Sequence, residues 1–114
     1  MADPIFNDQN AFRPNLGGFG VRFNVSANVA TALAGIPGTG EASQGAVIVR
    51  IRVKCGDTGA ACIAFNGVAT ANHMELAAGA VEMFTLPFSP NGVTMSAFGL
   101  SAATTVQATA GQGF

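Results

Sequence analysis

The nine residues Val47–Cys55, VIVRIRVKC, constrain this chain more than any other stretch. Val47, Val49, Ile51, Val53 and Cys55 fall on one parity; Ile48, Arg50, Arg52 and Lys54 fall on the other. Strand side chains alternate between two faces, whereas a helix would mix the two sets. β-branched residues fill the run, and neither Gly nor Pro interrupts it. It therefore reads as a strand with one face in a core and a row of cations on the other. Those cations stand about 6.6 Å apart along the strand. They are also scarce: the chain has five Lys and Arg residues in all.

The same period recurs elsewhere. Val21, Phe23 and Val25 alternate with Arg22, Asn24 and Ser26, a half-buried strand. Residues 28–33, NVATAL, continue extended with Val29, Thr31 and Leu33 on one parity, and 34–45 is a Gly-rich loop. GDTGAA is a turn after Cys55, and CIAFNG is the return strand. NHMEL, AVEMFTLPF, VTMSAFGL and TTVQATA read as further short strands. Asn66-Gly67 and Ser89-Pro90-Asn91-Gly92 mark turns. The nearest helical window, Ala71 to Val81, is interrupted by Gly79. Seven or eight short strands in 114 residues predict an all-β fold, a single small antiparallel β-sandwich or jelly roll over residues 19–114. Residues 1–18 have no period and contain Pro4 and Pro14. They read as an extended N-terminal arm docking through Phe6 and Phe12, or else as a disordered tail.

Charged residues make up 10% of the chain, against about 25% in an ordinary domain. A formal net charge of -1 argues against nonspecific nucleic-acid binding through a broadly basic surface, and it gives little repulsion between copies. The uncharged stretch 23–40 is too polar and too interrupted for a membrane span, and no secretory signal is visible at the start.

Chemistry-bearing patterns are sparse. One His, His73, has no partners at motif spacing, and the six acids Asp3, Asp8, Glu41, Asp57, Glu75 and Glu82 form no close pair in sequence. There is no G-x-S-x-G elbow. The loop GIPGTGEASQG lacks the Lys-Ser/Thr of a phosphate loop. Cys55 and Cys62 with only His73 are too few for a metal site. The two cysteines read as free thiols or as a disulfide across the 56–61 turn. The pleat disfavours the disulfide, because a core-facing Cys62 would turn Ile63 and Phe65 outward. Nine Phe with no Trp or Tyr lower the prospect of a sugar site. No enzyme activity, cofactor or metal is expected. The cation row has two readings: solvated pairing with Glu75 and Glu82 on neighbouring strands, or a stripe that docks on an acidic patch of another protein.

The order of these segments carries a resemblance. A basic alternating strand precedes Ile63-Ala64-Phe65-Asn66-Gly67, then Ala78-Gly79-Ala80-Val81-Glu82-Met83-Phe84-Thr85, then a closing Gly111-Gln112-Gly113. Over roughly residues 45–113 the chain resembles small β-sandwich structural proteins of tailed bacteriophages, the head decoration or cement proteins. The resemblance implies a virion component on the capsid exterior, made in the bacterial host cytoplasm. It implies a dimer or trimer that binds the major capsid protein and stabilises the shell, without nucleic-acid or membrane contact. On it, Phe6, Phe12 and Arg13 belong to an arm contact and Arg50, Arg52 and Lys54 to a docking face. A neck, tail or fibre-associated virion protein is the alternative within the same setting. A small carbohydrate- or ligand-binding sandwich is the alternative from another class.

Overall fold

The computed structural model describes residues 13–14, 18–39, 48–87 and 91–112. Among these are nine strands and no α-helix: β1 (Arg13–Pro14), β2 (Gly20–Val25), β3 (Ala34–Gly35), β4 (Ile48–Cys55), β5 (Ala61–Phe65), β6 (Met74–Leu76), β7 (Val81–Pro87), β8 (Thr94–Gly99) and β9 (Thr104–Gln112). They form two antiparallel sheets. In sheet I the order is β2-β9-β4-β7, with β1 continuing the β2 edge along the end of β9. In sheet II it is β3-β8-β5-β6. The pairs β2–β9, β3–β8, β4–β7 and β5–β6 are nested one inside the next. Rolling that ribbon lets β4 also pair with β9, and β5 with β8, which is a jelly roll.

Core and outer faces follow the parity of β4. Val49, Ile51, Val53 and Cys55 point inward and are at most 2% exposed. They meet Ile63, Met95, Ala97 and Leu76 of sheet II. β9 adds Val106, Ala108 and Ala110. Its alanines offer only methyl groups, which leaves room for Val21 and Val53 on either side of Ala108. Phe65 of β5 meets Phe84 of β7 edge to face, centroids 5.3 Å apart at 64°, tying the two sheets at one margin.

β5 does not return along β4. The chain crosses from sheet I to sheet II between Cys55 and Ala61, so the expected hairpin there is absent. Cys55 faces the core, and its thiol donates to the Gly59 carbonyl at 3.2 Å. Ile63 and Phe65 also face in, so Cys62 points to the outer side of sheet II, where it cannot reach Cys55. Both thiols are free.

That outer side of sheet II is covered. Cys62, Ala64 and Ser96 lie on it, yet none is more than 6% exposed. Two connections close it in: the β2–β3 segment 26–33, which bridges to β8 along its edge, and the β5–β6 segment 66–73, whose Ala71 carbonyl accepts from the Cys62 thiol at 3.7 Å. Ser96 joins them: its hydroxyl accepts from the Ala69 N–H (3.0 Å) and donates to the Thr31 carbonyl (2.8 Å). The Thr31 hydroxyl in turn accepts from the Ala97 N–H at 2.9 Å. Residues 28–33 therefore run as a strap rather than as the extended strand their parity suggests, with a left-handed Asn28 (φ 59°) and with Val29 and Leu33 exposed. Burial first, and the nearby Glu75 carboxylate second, raise the Cys62 thiol pKa above its ordinary value. Ser96→Ala should cost about 1–3 kcal/mol, since it leaves the buried Ala69 N–H without an acceptor. It should also speed native-state labelling of Cys62 by a thiol reagent. Labelling at the wild-type rate would mean that the straps hold without this clamp.

Among the described residues β7 is an edge of sheet I. The Cys55 N–H donates to the Ala80 carbonyl at 2.9 Å, which sets the phase of the ladder. Glu82, Phe84 and Leu86 aim their backbone groups at β4, and Val81, Met83, Thr85 and Pro87 aim theirs outward. The N–H that Pro87 lacks is thus missing on the open side, where no β4 ladder bond needs it.

Candidate docking face

The outer face of sheet I gathers the cations. Arg50, Arg52 and Lys54 project from β4 opposite the core parity and are half-buried. Arg22 of β2, exposed, shares their face. The register shows why: Arg22 pairs with Gln107, and Gln107 pairs with Lys54. Parallel rows run Met83–Arg52–Thr109 and Thr85–Arg50–Gly111. The fifth cation, Arg13, lies in β1, also in sheet I, and only its backbone is described. Phe6 and Phe12 lie outside the described residues. Phe19, just before β2, is 73% exposed.

The row does not pair with Glu75 and Glu82. Glu82 is on the neighbouring β7, but it sits opposite Val53 and so takes the other side of the strand from Arg52 and Lys54. Glu75 is in β6, in the other sheet. Among the described residues, no carboxylate forms an ion pair with Arg22, Arg52 or Lys54. Among the described residues, Arg22, Arg52 and Lys54 thus put positive charge on this face with no carboxylate paired to them, although the chain as a whole is nearly neutral. One margin, along β7, is apolar, with Val81 44% exposed beside Met83. The centre, along β9, is polar, with Thr105, Gln107 and Thr109.

An open hollow lies in this face, lined by Arg22, Lys54, Gly56, Thr105 and Gln107. Sequence reasoning singled out only Lys54 of these. The alternation around Arg22 put it opposite the core, but nothing local says which strand will lie beside it.

His73 does not join the face. It is exposed in the turn before β6, where Nδ1 accepts from the Thr70 N–H at 2.9 Å and the His73 N–H donates to the Thr70 carbonyl at 3.1 Å. These are contacts of a local turn. Among the described residues, no three His, Cys, Asp or Glu side chains come together as metal ligands, and no helix is long and apolar enough to cross a membrane.

No protein-family model, curated protein or solved structure matches this chain.

Proposed function

We propose that this chain is a virion structural protein that decorates the outside of a phage head and stabilises the shell. The observation that carries the reading is the cationic outer face of sheet I, where Arg22, Arg52 and Lys54 have no carboxylate partner among the described residues. A jelly roll alone is compatible with many roles, since viral capsid and lectin domains both use it. The face narrows them. Several cations held in register on a rigid sheet, with an apolar margin beside them, form a surface suited to an acidic protein partner. On a capsid, that partner is the major capsid protein. Many weak contacts repeated over a symmetric lattice, from copies that are dimers or trimers, give strong overall attachment. The segmental resemblance over residues 45–113 points the same way. No cofactor, metal or catalytic step enters this role.

Co-sedimentation with mature heads that lack the protein tests the reading. Saturable binding at hundreds of copies per head is expected. Binding at about a dozen copies would assign the protein to the neck or tail, and no binding of the folded protein would remove the head assignment. Arg52→Glu should weaken attachment about tenfold or more and flatten its salt dependence, because the contact is screened charge across an interface. Unchanged attachment would make the row solvated surface only.

A further inference from the structure

The hollow on the outer face of sheet I has features that a merely solvated surface does not need. Arg22 and Lys54 are two strands apart, so their backbones stand about 10 Å from each other with Gln107 between them. Long side chains leaning inward from that spacing can grip one small anion from both sides. The end of the hollow is closed by Gly56 and Thr105, which are bonded through the Gly56 N–H and the Thr105 carbonyl at 2.7 Å. A Cβ on Gly56 would stand 2.7 Å from the Thr105 hydroxyl and 3.0 Å from that of Thr104. Glycine is what keeps this end open. The Thr104 hydroxyl is buried, on a residue 5% exposed, and has no hydrogen-bond partner. Among the described residues, the Arg22, Lys54, Gln107 and Thr105 side chains also have no hydrogen-bond or ion-pair partner. Two cations, one amide and one hydroxyl, that of Thr105, thus line one opening with their donors unused, and the Thr104 hydroxyl lies behind it on the core side of β9.

We infer that this hollow is a carboxylate site, which seats a single Asp or Glu side chain of the protein surface on which sheet I docks. The inference rests on the docking role proposed above and adds to it the chemistry of one contact. Arg22 offers the planar fork that matches a carboxylate, and Lys54 offers a point charge from the opposite side. Gln107 and Thr105 give neutral donors at the floor. A protein carboxylate fits better than a nucleic-acid backbone. A backbone needs a basic track with aromatic platforms for the bases, whereas this face holds a few cations in a nearly neutral chain and no Trp or Tyr.

The test uses the whole protein and a hexa-aspartate peptide at low salt, followed by backbone amide shifts in NMR. Saturable shifts at Gly56, Thr105 and Gln107 are expected. Arg22→Gln and Lys54→Gln should each weaken the peptide about tenfold, and Thr105→Val by a smaller factor. Arg52→Gln removes the same charge from the same face but lies outside the hollow, so it should weaken the peptide no more than about threefold. Thermal unfolding of each variant checks that it is folded. Equal losses for Arg52→Gln and Arg22→Gln would overturn the site, because the peptide would then be reading net charge. So would the absence of saturable shifts, or tighter binding of a single-stranded oligonucleotide at the same amides. The heads separate the two proposals. If heads bind the protein and Arg22→Gln attaches as tightly as wild type, the docking role stands and the site falls. If the peptide saturates the hollow while heads do not bind, the site stands and the docking role falls.

Discussion

Gly99→Ala should destabilise the domain by about 3 kcal/mol or more, lowering the melting temperature by on the order of 10–20 °C. Gly99 ends β8, where the β2–β3 strap passes against it. Ala27 bridges to it, the Asn28 N–H donates to its carbonyl at 2.8 Å, and its own N–H donates to the Val29 carbonyl at 3.3 Å. A Cβ here would overlap the Ser26 carbonyl oxygen, approach its carbon to 2.8 Å and touch Val25 Cγ1 at 3.1 Å. Two of those atoms are backbone, so relief means moving the strap, and with it the hydrogen bonds that hold the strap to β8. Gly67 is the control. A Cβ there meets nothing within 4 Å, and Gly67→Ala should be neutral or stabilise by up to about 1 kcal/mol through the unfolded chain. Urea unfolding of the pair measures the difference. Equal effects would mean that the strap does not lie against β8.

Ile51→Ala should cost about 3–4 kcal/mol. Ile51 is fully buried at the middle of β4, in register with Phe84 of β7 and Ala110 of β9. Ala110 has no side chain to spare, and Phe84 is held by its contact with Phe65, so little can move into the space left behind. The next residue gives the contrast. Arg52→Ala removes a longer side chain, but from the outer face, and should change stability by about 0.5 kcal/mol or less. The two denaturation midpoints together test the phase of β4. A loss at Arg52 as large as that at Ile51 would put the strand the other way round.

The parity of β4 was legible because its faces differ: one is a core of β-branched residues and the other is charged. β2 was legible for the same reason. β5 was harder. Its pattern, ACIAF, is buried at four successive positions because the straps cover its outer side. A strand enclosed on both faces loses the alternation that would identify its inner residues. Its partner was also misjudged. A turn between two apolar runs predicts a hairpin, yet whether the second run pairs back or crosses to the opposite sheet depends on where β8 and β9 lie, and both are made much later. The docking face shows the same limit. Arg50, Arg52 and Lys54 are local and visible as a row. Arg22, Thr105, Gln107 and Gly56 join Lys54 only through the β2-β9-β4 register, a long-range property that period and composition do not contain.

Nesting of the strand pairs imposes an order in time. As the chain is made, β2, β3, β4 and β5 all emerge before any of their antiparallel partners exist, and the innermost pair, β5–β6, is the first that can close. β9, which joins β2 to β4 in sheet I, comes last of the described strands. Until β7 emerges β4, the most strongly β-forming segment, has neither neighbour, and until β9 emerges it still lacks one and could pair with the β4 of another unfinished chain. Three cations on alternate residues oppose that, because two such strands laid side by side bring like charges together. The residues that mark the outer face of the finished sheet thus also keep its central apolar strand apart from other copies while it waits.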